Sequence, residues 1–179
     1  MNEIPNLETI FEKTWSVLEA GAPGSILTLA TVDKFGFPQA CSVVLRRVIA
    51  ERFLLFFYTD LDSVKCDSLT SFPGAQLNFW DKELGIQIRL ANKIILRQDD
   101  RANKIWKKMK KEKLLSYGKI PKPGETIDGP FNYIVSPSIK NFVVAECHVR
   151  KIDFLSIKDR HYRAVFTRTK KWEGEWVSP

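Results

Sequence analysis

Apolar residues at Leu7, Ile10, Phe11, Trp15 and Leu18 recur at spacings of three and four before Gly21. That stripe predicts an amphipathic helix over about 7–20, within an N-terminal segment 1–21 that Gly21 ends as a left-handed C-cap. From Ser25 the period changes to two. Ser25–Val32 alternates, Asp33-Lys34-Phe35-Gly36 reads as a turn, and Gln39–Val48 reads as the returning strand. Phe53–Thr59 is almost wholly apolar, the pattern of a strand buried on both faces. Ser63–Ser71 predicts a short helix stopped near Pro73-Gly74, and Ala75–Trp80 and Ile86–Leu96 predict strands around the turn at Asp81–Gly85. Ala102, Ile105, Trp106, Met109 and Leu114 then mark a second helical stripe. Gly118–Ser138 holds four Pro and three Gly among few apolar residues, so 118–140 reads as a long covering loop. Phe142–Phe154, Tyr162–Thr169 and Trp172–Trp176 finish the chain as strands, with Gly174 at a turn. About eight hairpin-connected strands and two or three helices predict a mainly β architecture, a small antiparallel barrel with peripheral helices.

The 179 residues suit one domain spanning 1–179, and area scaling lets a chain of this size bury about 70% of its surface without staples. The net charge of +7 changes the picture only locally, because Arg101–Lys113 alone carries seven Lys/Arg against one Glu. A basic face on one amphipathic helix is ordinarily solvated, and its alternative is a surface for a phosphate-bearing ligand or polynucleotide. No window of about 18 uninterrupted apolar residues occurs, so no membrane-spanning helix and no membrane partner are expected. Met1–Glu12 carries Glu3, Glu8 and Glu12 and no apolar stretch, which is not the pattern of a secretory leader. Cys41, Cys66 and Cys147 are odd in number and far apart, fitting a reducing cytoplasmic setting and buried thiols. Without a CxxC pair or an HExxH run, no metal is expected.

Phosphate-loop and dinucleotide-binding glycine patterns are also absent, and His148 and His161 are the only histidines. No catalytic residue is therefore assigned from the pattern. The most informative stretch is Tyr58-Thr59-Asp60-Leu61-Asp62-Ser63-Val64-Lys65. A buried strand ends there, a short polar turn follows, and Asp62 or Ser63 is placed to cap a helix whose first turn holds Lys65. Hydroxyls, free backbone N–H groups and an ammonium converging on a helix N-terminus suit a phosphate. A plain strand–turn–capped-helix junction with an exposed lysine explains the same residues. Alternation also puts His161 and Arg163 on one face of their strand, either solvated or facing a ligand.

The succession SVVLRRV, YTDLDSVK, LNFW, GIQIRL and, later, IDFL and HYRAVF resembles the pyridoxamine 5′-phosphate oxidase-like proteins. The likeness runs from about Ile26 to Leu90 and resumes over Asn141–Pro179. It implies an FMN-binding split barrel with Greek-key-like connections, and a homodimer with the flavin between two barrels. By the same likeness, Val43, Val44 and Arg46 lie along the flavin, Tyr58 and Thr59 match a Tyr-Thr pair, and Ser63 and Lys65 match a phosphate-binding run. Gln87 matches a glutamine reaching the ring, Arg163 a late arginine near the cofactor, and His161 a histidine turned towards the substrate. The expected activity is an oxidoreductase moving hydride from a small molecule to the flavin, with phosphorylated substrates among the candidates.

Three positions depart from the family pattern. Cys41 and Val64 stand where the family carries arginines, and Leu155 where it carries tryptophan. Losing two guanidiniums removes two charge-assisted contacts of about 1.5–3 kcal/mol each, so weaker FMN binding is expected. Phe79, Trp80, Phe142 and Val144 are expected to supply apolar surface for the second copy. Two other classes stand beside the oxidoreductase: a non-catalytic FMN or flavin binder, and a basic protein that engages nucleic acid through 101–113.

Overall fold

The computed structural model describes residues 5–158 and 160–179. The start of the segment read for a leader, Met1–Ile4, lies outside them. Helix α1 (Leu7–Ala20) is capped by Asn6, whose side chain accepts the Thr9 N–H at 2.8 Å. Its other end corrects the expectation. Gly21 is right-handed (φ −75°), so conformational freedom is not why glycine stands there. Space is: a Cβ would lie 2.6 Å from Ser25 Oγ where the chain turns back.

Strands β1 (Ile26–Val32), β2 (Pro38–Val44), β3 (Arg47–Ile49), β4 (Leu54–Asp60), β5 (Gly74–Asp81), β6 (Ile86–Arg97), β9 (Phe142–Ser156), β10 (Tyr162–Arg168) and β11 (Trp172–Val177) form one antiparallel sheet. Its order is β2-β1-β5-β6-β9-β10-β11. The fifteen-residue β9 is the spine, pairing with β6 along most of its length, with β4 over Phe142–His148 and with β10 over Lys151–Ser156. The strand expected over Gln39–Val48 breaks at Leu45-Arg46. There Arg46 N–H donates to Phe56 O at 2.8 Å, folding the edge onto β4 and closing the curl. Gly174, expected at a turn, sits inside β11 opposite Phe166, where a Cβ would come within 2.7 Å of the ring.

Leu27, Leu29, Leu55, Phe57, Leu77, Ile88, Leu90, Cys147, Ile152 and Phe154 fill the inside of the curl, and Ile10, Trp15 and Leu18 of α1 close one end. The opposite face of β4 is buried as well. Phe56 joins Phe142, Val144, Tyr117 and Ala102 in a second cluster beneath α3 (Asp100–Lys108), which explains the uniformly apolar β4. The basic segment is not one helix: Met109 is extended (ψ 138°), separating α3 from the single turn α4 (Lys111–Leu114). Helix α2 is Val64–Ser71. The long loop contains a small hairpin, β7 (Lys119–Ile120) with β8 (Ile134–Val135), and acts as a strap. Among the described residues, no helix is long and apolar enough to cross a membrane.

Candidate functional site

The turn after β4 is built around two carboxylates, Asp60, to which the sequence assigned no role, and Asp62, expected as a candidate helix cap. Asp60 is buried; its Oδ1 accepts the Asp62 N–H at 2.9 Å and its Oδ2 the Gly118 N–H at 2.7 Å. Ser63 occupies the N-cap of α2 but does not cap it. Its hydroxyl donates to Asp60 O at 2.7 Å and lies 3.3 Å from Thr59 Oγ1. The first-turn amides of α2 therefore receive no side-chain oxygen from Ser63, whose backbone carbonyl takes the Cys66 N–H at 2.8 Å. Lys65, in that turn, is half-buried. Asp62 accepts from Asn141 Nδ2 at 2.6 Å and pairs with Lys122 Nζ at 3.1 Å, which ties the strap to the turn. Val64 is exposed rather than packed on Phe56 or Leu69, and the strap passes over it at Gly124 (φ +96°), where a Cβ would lie 3.2 Å from Val64 Cγ2.

One residue back along β4, Tyr58 opens a cleft of about 400 Å³ beneath α3 and α4. Arg46 and Tyr117 line it, with Lys108, Lys110 and Lys113 at the rim and Ile105 and Met109 on the wall, and among the described residues no carboxylate faces it. The Arg46 guanidinium lies 5.8 Å over the Tyr58 ring, and its Nε is buried without a partner among the described residues. Burial raises both phenols, Tyr117 to about 12, against the lowering influence of Arg46. Both hydroxyls stay protonated donors at neutral pH. This concave, aromatic and cationic surface suits a flat anion.

Helix α3 is held over the cleft by Glu146 of β9, whose side chain is only 8% exposed. Its oxygens take Arg97 at 3.2 Å, Arg101 at 3.0 Å and His148 Nε2 at 2.7 Å. Burial raises the Glu146 carboxyl, but the hydrogen bonds from His148 and Arg97 outweigh it and hold the group below the usual carboxylate range.

Gln87 and Arg163 lie elsewhere. Gln87 of β6 and Arg163 of β10 both stand opposite Leu155 of β9, with Trp80 of β5 opposite Gln87. Register partners share a face, so these residues form one row on the outside of the curl. Beside it, Asp153 takes Arg163 Nε at 2.9 Å and Nη2 at 2.8 Å, and Arg89 Nη2 as well. Among the described residues, Asn78 Oδ1 and Arg89 Nε are buried there without partners. His161 is exposed just before β10.

The expected site residues thus separate. Thr59, Ser63 and Lys65 share the turn, and Arg46 and Tyr58 the adjoining cleft. Val43 turns its side chain into the core, while Val44 and Cys41 are half-buried on β2. Gln87 and Arg163 sit far off, since Tyr58 pairs with Val144 and Gln87 with Leu155. These two partners stand eleven positions apart on β9, roughly 36 Å along the strand at about 3.3 Å each. Arg89 and Asp153 were missed, although strand alternation, which sets Arg89 on the face of Gln87 and Asp153 on that of Leu155, is the signal that finds them; no sequence signal tied Lys122 or Asn141 to Asp62.

No family model matches the chain. The pyridoxine/pyridoxamine 5′-phosphate oxidase of Chromohalobacter salexigens is 43% identical over 68 residues, covering 38% of this chain and 31% of the oxidase. That of Leptospira interrogans is 38% identical over 78 residues, 44% and 34% of the two chains. The matches thus span about a third of the length of these relatives. Among solved structures, a pyridoxamine 5′-phosphate oxidase-related FMN-binding protein from Nostoc punctiforme superposes with a TM-score of 0.76 at 21% identity, covering 99% of both chains. PhzG from Burkholderia lata, in complex with tetrahydrophenazine-1-carboxylic acid, gives 0.75 at 16% identity over 99% of this chain and 95% of that one. The class is therefore defined: the chain has the fold of the FMN-binding split-barrel proteins. Within that class, its curated homologues are pyridoxine/pyridoxamine 5′-phosphate oxidases, as the motif order implies.

Proposed function

We propose that this protein binds FMN as a homodimer, each flavin site shared between two copies, and acts as an oxidoreductase on a small anionic substrate. The observation that carries the reading is the split of the candidate residues between the two ends of β9. No ligand of flavin size touches Lys65 and Arg163 of one chain, whereas a second copy related by a two-fold axis would bring one chain's turn to the other's outer row. Orphaned polar atoms at both places, Arg46 Nε at the first and Asn78 Oδ1 and Arg89 Nε at the second, fit a ligand that satisfies them. Lys65 and the uncapped amides of α2 suit the phosphate, while Gln87 and Arg163 suit the polar edge of the ring. Arg46 and the rim lysines hold the substrate's negative charge, and Tyr58 and Tyr117 provide its flat apolar walls.

A bound flavin would supply the hydride-accepting chemistry, so the protein's part is binding, orientation and electrostatics. One expected source of the dimer contact changes. Phe79, Phe142 and Val144 are buried within the chain, and Trp80 alone of the four is exposed, at 46%. Exposed Phe35, Phe37, Phe131 and Ile134 supply apolar surface instead. The decisive measurement is the absorbance near ~450 nm of the protein as expressed, with light scattering on the same sample. A yellow dimer bleached by a phosphorylated amine or alcohol is expected; a colourless protein that takes up no added FMN overturns the reading. A yellow dimer that no substrate bleaches would favour the non-catalytic flavin binder.

A further inference from the structure

Resting on the flavin reading above, we infer that Asp153 is a positioning residue that presets Arg163 for the ligand on the outer face of the sheet. Asp153 lies on β9 with its side chain 11% exposed, between Arg89 of β6 and Arg163 of β10. It engages Arg163 by the forked geometry in which two parallel N–H donors meet two carboxylate oxygens. That fork consumes the Nε–Nη2 edge. Among the described residues Nη1 keeps no partner, so it is the arm left to donate to a ligand. Arg89 takes the same Oδ2 through its Nη2, which anchors the carboxylate from the opposite strand. A lone arginine on an open sheet face samples many rotamers, and a ligand that fixes one must offset the lost side-chain entropy. Here folding has already done so.

The carboxylate is ionised throughout the working range. Burial raises it, but Arg163 and Arg89 outweigh burial and keep it below the ordinary aspartate value. Its charge leaves the pair of arginines with a net of one positive charge. Electrostatics and positioning therefore make opposite predictions. If Asp153 acts only as a negative charge, removing it makes the face more cationic and favours an electron-rich or anionic ligand. If it acts by holding Arg163, removing it weakens binding even of an uncharged ligand.

The test is flavin titration of the full-length dimer, read by fluorescence quenching, with riboflavin as the neutral probe beside FMN. In Asp153→Asn we expect both affinities to fall by about tenfold, the scale of one charge-assisted hydrogen bond. Arg163→Lys, which keeps the charge and loses the fork, should give a similar loss. The double variant should lose little more than either single one, because both changes remove one interaction. Equal or tighter binding in Asp153→Asn, or fully additive losses, overturns the inference while the flavin reading stands. Absence of flavin binding by the unmodified chain overturns both. Should Asp153→Asn not fold, Asp153→Glu decides: it keeps the charge but displaces the carboxylate by a methylene, so unchanged riboflavin affinity would exclude positioning.

Discussion

Lys65 carries more of the proposed phosphate charge than a residue in an arginine-rich site would. Cys41 and Val64 bring no charge, and the neighbouring turn holds the carboxylates Asp60 and Asp62. The Asp60 oxygens are occupied by backbone amides and Asp62 is paired with Lys122, so the local field is less hostile than the sequence suggests. Lys65→Ala should weaken FMN binding by about 1.5–3 kcal/mol, the scale of one charged hydrogen bond. Riboflavin, lacking the phosphate, should be indifferent. Parallel titrations decide, and equal losses for the two ligands would mean that Lys65 acts through folding. Val64 teaches the same lesson at residue scale. Its apolar side chain is read from the sequence as a lost arginine, yet it lies under the strap at Gly124, a contact that only the folded chain creates.

Helix α3 shows what an element needs beyond its own pattern. Its stripe of Ala102, Ile105, Trp106 and Met109 was legible and does face the second cluster. What anchors it is Glu146, forty-five residues away from Arg101, through the ion pairs with Arg97 and Arg101. The folded carboxyl is held below its ordinary value, so its stability contribution is full above the unfolded pKa of about 4.3 and is lost as pH falls through the folded one. Glu146→Gln should therefore cost about 1–3 kcal/mol at pH 7, because two arginines lose their charged partner. The gap between variant and parent should narrow below pH ~4. Urea melts across that range check it, and a gap that does not shrink would assign the loss to packing instead. The strap is the element the sequence described least. Proline and glycine marked it as irregular, but Asp60 and Asp62, which pin it, are remote in sequence.

At the scale of the molecule, the separation of the two residue groups along β9 makes complementation between copies the sharpest expectation. A Lys65→Ala chain and an Arg163→Gln chain should each bind FMN poorly. Refolded together, they should recover roughly a quarter of the parent sites, since half of randomly paired dimers are mixed and each mixed dimer holds one intact site. Flavin bound per chain after gel filtration measures this. No recovery on mixing would mean that the two groups of residues do not share a flavin between copies.

Alternating and apolar runs by themselves determined the strands and helices, within a residue or two at most ends, and the order of motifs determined the split-barrel fold. Those features are local or near-local, because side-chain period and hairpin turns are written in neighbouring residues. The break at Leu45-Arg46, the right-handed Gly21 and the in-strand Gly174 escaped, since each answers to an atom elsewhere: Phe56 O, Ser25 Oγ and the Phe166 ring. The candidate site was legible residue by residue but not as an arrangement. Only the tertiary structure decided that Tyr58 and Lys65 stand at one end of β9 and Gln87 and Arg163 at the other, and that Asp153 and Glu146 hold the arginines. The reason is physical: which strands become neighbours, and at what register, depends on burying all the apolar faces at once, and no short stretch of chain carries that information.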